Sequence, residues 1–160
     1  MPLRLELNDH AATLHLGQSL ASVFSRRSRP PALLLTGGLG AGKTTLIRAL
    51  VESLPGAAQA EVTSPSFNIV NLYPTTPPVA HFDLYRLAQG CLDDDIFELL
   101  DSEENWCVVE WAERLHPEDV PTGAVRIEME ASETGRTARI QAMVSSDEEA
   151  IRVLLQDYEG

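Results

Sequence analysis

Lysine is almost absent from this chain: of its twelve lysine and arginine residues, Lys43 alone is a lysine. A guanine-reading N-K-x-D motif therefore has no place anywhere in the 160 residues, which sets a GTPase switch aside. Cysteine is scarce too. Cys91 and Cys107 lie far apart and form no C-x-x-C pair, so neither a zinc site nor a dithiol redox motif is indicated. Cys107 reads as a small core residue within an apolar run and Cys91 as a loop thiol. His10, His15, His81 and His116 show no metal-ligand spacing. Basic charge is short: 12 cationic against 24 acidic side chains gives a net charge of −12, and phosphate backbones repel such a surface. Broad nucleic-acid binding is excluded on that ground, whereas docking to a basic protein surface is favoured. The lone basic cluster, Ser25-Arg26-Arg27-Ser28-Arg29, reads as a solvated loop. No apolar tract is long and uncharged enough to span a bilayer, and Met1-Pro2-Leu3-Arg4-Leu5-Glu6 alternates instead of following a signal-peptide layout. The expectation is a cytoplasmic protein without a membrane partner. Repeats, long linkers and low-complexity blocks are missing as well, so residues 1–160 read as a single domain large enough for a substantial core.

What is present centres on that one lysine. Gly37-Gly38-Leu39-Gly40-Ala41-Gly42-Lys43-Thr44 fits the phosphate-binding pattern G-x-x-x-x-G-K-[ST]. Gly37, Gly40 and Gly42 lack a Cβ, so the backbone can turn tightly and bring successive N–H groups against phosphate oxygens. Lys43 supplies a compact charge for the β- and γ-phosphates, and Thr44 a hydroxyl for the magnesium ion that bridges them. The context is right: Ala32-Leu33-Leu34-Leu35-Thr36 suits a buried parallel strand, and Thr45 to Val51 has helical apolar spacing until Pro55-Gly56 stops it. A helix there directs its positive dipole end at the anion.

Elsewhere, Leu3 to Leu7 reads as a strand. Asn8-Asp9 reads as an N-cap for a helix from His10 to Phe24, whose stripe is Leu14, Gly17, Leu20, Ala21 and Phe24. Phe67 to Tyr73 and Val79 to Tyr85 form a hairpin around Pro74-Thr75-Thr76-Pro77-Pro78. Leu92 to Leu100 is an acidic helix capped by Asp93, with Ile96, Phe97 and Leu100 facing inward; its Asp93-Asp94-Asp95 run favours the positive end of the dipole. Cys107-Val108-Val109-Glu110-Trp111 is a buried strand. Ala124 to Glu130 and Thr137 to Met143 are strands joined at Thr134-Gly135, and Asp147 to Leu155 is a closing helix. The fold class expected is α/β: a P-loop NTPase-like domain with a mixed parallel and antiparallel central sheet flanked by helices.

Hydrolysis needs groups that hold magnesium and orient water. Glu110, at the end of an apolar strand, has the position of a Walker B acid. Asp83, in His81-Phe82-Asp83-Leu84-Tyr85-Arg86-Leu87, is placed to orient the attacking water or to steady a group one step out from the metal. Thr63-Ser64-Pro65-Ser66 reads either as a γ-phosphate-sensing loop with Ser66 as its hydroxyl, or as an ordinary turn leading into the next strand.

Taken together, Leu39 to Thr45, Thr63-Ser64-Pro65-Ser66-Phe67, His81 to Leu87 and Val109-Glu110-Trp111, in this order and spacing, resemble the TsaE family, formerly YjeE. The resemblance implies a small bacterial ATPase that supports formation of threonylcarbamoyladenosine (t6A) in tRNA, with ATP and Mg2+ as cofactors. Its partners would be the TsaB and TsaD proteins, with tRNA met through that complex. It matches Gly38, Leu39, Gly40, Ala41, Gly42, Lys43, Thr44 and Thr45 to the ATP loop, and Thr44 and Glu110 to the magnesium ligands. Lys43, Asp83 and Glu110 take the catalytic positions. His10, Ser66 and Trp111 fall near the nucleotide. Two positions depart from the family pattern: Ser66 stands where threonine is usual, keeping the hydroxyl with a freer rotamer, and His10 where an acidic residue is common. The rival readings are a P-loop kinase of a small metabolite, which usually needs an arginine-rich lid that does not follow the P-loop helix here, and a nucleotide sensor without turnover.

Overall fold

A computed structural model describes residues 2–59, 69–87 and 92–156. Seven strands form one sheet in the order β1-β7-β6-β2-β5-β4-β3, where β1 is Leu3–Leu7, β2 Leu33–Thr36, β3 Val70–Tyr73, β4 Val79–Asp83, β5 Trp106–Glu110, β6 Val125–Ser132 and β7 Gly135–Ala142. The centre is parallel, with β2 between β6 and β5 and with β4 beside β5. Antiparallel pairs close both sides: β3 on β4, and β7 on both β6 and β1. The mixed sheet expected from the sequence is therefore present. Of its parallel strands, β2, β4 and β5 are continuous runs buried on both faces, whereas β6 alternates buried and exposed residues.

One face of the sheet is covered by α1 (His10–Phe24), α2 (Lys43–Glu52) and α4 (Ser145–Gln156), around Leu16, Leu20, Phe24, Leu46, Leu50, Ile151 and the strand residues Leu33, Leu35 and Val108. The other carries α3 (Asp94–Asp101), whose Ile96 and Leu100 join Leu34, Phe82, Cys107 and Val109. Both N-caps anticipated from the sequence are made: Asp9 accepts from Ala12 N at 2.8 Å and Asp93 from Ile96 N at 3.0 Å. Two helix faces need correction. The buried stripe of α1 runs through Thr13, Leu16, Gly17, Leu20, Ala21 and Phe24, leaving Leu14 half-buried, because α1 turns Gly17 against the backbone of α2. Phe97 is 43% exposed, since this eight-residue helix packs through Ile96 and Leu100, with Leu99 partly buried beside them.

Cys107 is buried as expected; Cys91 and the Thr63 to Phe67 loop lie outside the described residues. Two of the three arginines of the basic cluster are matched within the chain. Arg27 ion-pairs with Asp147 at the start of α4, and Arg29 with Glu103. Among the described residues no helix is long and apolar enough to cross a membrane.

Candidate functional site

Strands β2, β5 and β4 are mutually parallel neighbours, so Thr36, Glu110 and Asp83 end at one edge, with Glu110 directly paired to Asp83 in register. Open α/β sheets bind ligands beyond such C-terminal edges. The chain leaves β2 into Gly37 and returns as α2. Gly42, with φ of 99°, makes the final turn and caps α2 without a side chain, so the first N–H groups of the helix have no partner within the helix or from its cap residue. A Cβ at Gly37 (φ 138°) would overlap the Met129 carbonyl, which fixes glycine there. Gly38 and Gly40 face open space, Leu39 at the loop tip is 75% exposed, and Ala41 is packed inward.

Lys43 is the first residue of α2 and only 5% exposed. Its Nζ donates to the Gly37 carbonyl and, at 3.3 Å, to that of Gly38, and lies 3.8 Å from the centre of the Trp111 ring. Burial pulls its pKa down from the ordinary 10.5, opposed by the nearby carboxylates of Glu110, Glu113 and Asp83. Trp111 does not continue β5. It takes a left-handed conformation (φ 57°), which swings its ring under Lys43 and against Tyr85, with centroids 4.8 Å apart.

Thr44 donates through Oγ1 to Glu110 Oε1 at 2.8 Å, bringing together the two residues that the sequence pairs as metal ligands. Glu110 is 2% exposed, and its other oxygen, Oε2, lies 2.6 Å from His81 Nε2. His81 is fully buried on β4 and meets the Tyr73 hydroxyl through Nδ1 at 3.2 Å. Asp83 accepts from Tyr85 N at 3.0 Å and lies close enough to Lys43 to act on its charge. Thr45 is the third residue of α2. Ser66 lies outside the described residues.

His10 is remote from these groups in sequence, yet the fold brings it to the same loop. A cavity of about 330 Å³ is lined by Leu7, Asp9, His10, Gly40, Ser132 and Arg136, among others. Arg136 is a residue the sequence reading passed over. Its guanidinium lies beside Gly42, where an added Cβ would come within 2.9 Å of Nη1, and Nη1 reaches Thr13 Oγ1 at 3.5 Å. No spacing rule links positions 42 and 136; the order β2-β6-β7, with β6 paired to both neighbours, brings them to one end of the sheet. His81 was passed over too, although the alternation Val79, His81, Asp83 places it on the face of the acidic edge.

The donor set fits magnesium carried by a nucleotide. Among the described residues no group of three or more His, Cys, Asp or Glu side chains could cage a metal, whereas a hydroxyl and a carboxylate meet beside the anion loop. Magnesium typically takes one or two protein oxygens and completes its shell with phosphates and water.

A sequence model of the family described as "Threonylcarbamoyl adenosine biosynthesis protein TsaE" matches residues 7–140. The tRNA threonylcarbamoyladenosine biosynthesis protein TsaE of Streptomyces coelicolor is 41% identical over 102 residues, which covers 61% of this chain and 66% of that protein, just under two thirds of its length. The protein of the same name from Aquifex aeolicus is 40% identical over 115 residues, covering 71% of this chain and 80% of its own. A crystal structure of YdiB from Bacillus subtilis shares the fold, with a TM-score of 0.72 at 24% identity over 98% of this chain and 95% of that one. With the P-loop, the paired Thr44 and Glu110 and the long family match in place, this chain belongs to the TsaE family of threonylcarbamoyladenosine biosynthesis proteins.

Proposed function

We propose that this protein is a magnesium-dependent ATPase of the cytoplasm that binds the TsaB–TsaD complex and hydrolyses ATP to permit its repeated turnover in t6A formation, meeting tRNA only through that complex. The observation that carries the reading is the 2.8 Å contact between Thr44 and Glu110 beside a buried Lys43. A loop that only bound phosphate would have no need of a buried carboxylate at the metal position. Lys43 and the free N–H groups of α2 hold the phosphates. Thr44 and Glu110 would hold the magnesium, which supplies charge neutralisation on the β- and γ-phosphate oxygens. Asp83, held at the strand edge by Tyr85 N, is placed to orient water. The cavity between His10 and Arg136 has room for the ribose and base.

Coupling to a partner requires that the partner prefer one nucleotide state. The test is ATP hydrolysis measured with the protein alone and with purified TsaB–TsaD. Slow hydrolysis alone and faster hydrolysis with the complex is the expected result. Equal rates would remove the coupling, transfer of phosphate to a metabolite would favour a kinase, and binding without turnover a sensor.

A further inference from the structure

His81 is the one fully buried histidine among the described residues, and it lies inside the sheet, opposite Val108 of β5 and Asn71 of β3 in register. A polar ring in such a place costs free energy unless both nitrogens are satisfied. Here both are: Nε2 lies 2.6 Å from Glu110 Oε2, and Nδ1 lies 3.2 Å from the Tyr73 hydroxyl. A carboxylate oxygen accepts, so Nε2 carries the proton in that contact. The chain of contacts continues from Glu110 Oε1 to Thr44 Oγ1 at 2.8 Å. Four side chains from β3, β4, β5 and α2 thus form one line running from the sheet interior to the anion loop.

We propose that His81, braced by Tyr73, is a positioning residue for Glu110: by holding Oε2 it fixes the carboxylate plane and leaves Oε1 facing Thr44 at the metal position. The inference rests on the reading of Thr44 and Glu110 as magnesium ligands given above. The physical need is plain. Glu110 has three rotatable side-chain bonds, and a carboxylate held at one oxygen only can swing out of reach of a metal that offers it a single coordination position. Hydrogen-bond partners behind a metal ligand typically affect metal affinity or activity by about 10–100-fold. A histidine kept for packing alone would be replaceable by leucine, whose volume is similar and which needs no partners.

The experiment compares His81→Leu, His81→Gln and Tyr73→Phe with the wild-type protein. Affinity for a non-hydrolysable fluorescent ATP analogue is measured in Mg2+ and again in EDTA, beside kcat and KM for ATP. In His81→Leu the gain in affinity brought by Mg2+ should shrink about tenfold or more. Affinity in EDTA should hold, and kcat should fall more than KM changes. His81→Gln, whose amide can donate to Oε2, should recover most of the Mg2+ gain. A Mg2+ gain in His81→Leu equal to wild type, an equal fall with and without Mg2+, or a glutamine variant no better than leucine would each overturn the inference. Should His81→Leu fail to melt cooperatively, Tyr73→Phe decides: a reduced Mg2+ gain supports the brace and an unchanged one overturns it. A wild-type protein showing no Mg2+ gain at all would instead overturn the metal site itself.

Discussion

Replacing Glu110 in two ways separates what it contributes to the fold from what it contributes to chemistry. In Glu110→Ala the buried Nε2–H of His81 loses its acceptor, while the Thr44 hydroxyl, only partly buried, can turn to water. One orphaned buried donor costs about 1–3 kcal/mol. For a domain of this size each kcal/mol lowers Tm by roughly 2–4 °C, so a central cost of about 2 kcal/mol corresponds to a drop of roughly 4–8 °C. Glu110→Gln behaves differently. Its amide oxygen accepts from His81, and its NH2 donates to the Thr44 hydroxyl, so every polar atom keeps a partner and Tm should stay within about 3 °C of wild type. Both variants lose the carboxylate charge and should lose most ATP turnover while retaining much of the nucleotide binding. Differential scanning fluorimetry and a phosphate-release assay run on the same preparations read both effects. A glutamine variant with unaltered turnover would remove Glu110 from the metal, and an alanine variant as stable as wild type would show that the contact with His81 is energetically empty.

Lys43 titrates below the ordinary lysine value because burial disfavours its charge, so nucleotide affinity should begin to fall with rising pH below 10.5; a bend at or above 10.5 in fluorescence anisotropy titrations would contradict this. Burial pushes the Cys107 thiol up to about 12, leaving on the order of one thiolate in ten thousand at pH 8. Mass spectrometry after iodoacetamide treatment at that pH should find Cys107 unmodified in the folded protein and modified in urea. Gly17→Ala should destabilise despite alanine's better helix propensity of about 1 kcal/mol. The new Cβ would overlap the Leu46 carbonyl and stand 2.8 Å from Ala49 Cβ, forcing α1 from α2 at a cost of about 1–3 kcal/mol or more. A Tm above wild type would show that the two helices separate freely.

The parts of this molecule written in local pattern were legible in its sequence. The P-loop, both aspartate caps and the apolar parallel strands depend on neighbours a few residues away, and residues 3–7 and 10–24 fold as read. Leu14 and Phe97 were misassigned because which side of a helix is buried depends on where the partner backbone comes closest, and Gly17 set that for α1. Trp111 was read as a strand residue, since no local signal marks the left-handed turn that aims its ring at Lys43. The position of Glu110 and Asp83 at one edge of the sheet was legible because apolar runs that close on a carboxylate mark strand ends. The surroundings of Arg136 and His81 were not, because they come from register: Leu7 opposite Arg136, and His81 one step back from the pair Asp83 and Glu110.

The seam between β1 and β7 joins residues 3–7 to residues 136–140, far apart along the chain. A growing chain emerging from the ribosome can finish its glycine loop long before position 136 exists, so the far wall beside that loop arrives last. Any ligand that touches His10, the loop and Arg136 together then acts as a clasp across the seam. Its occupancy should raise the melting temperature in proportion to the logarithm of its concentration, and should slow hydrogen exchange most strongly in β1 and β7.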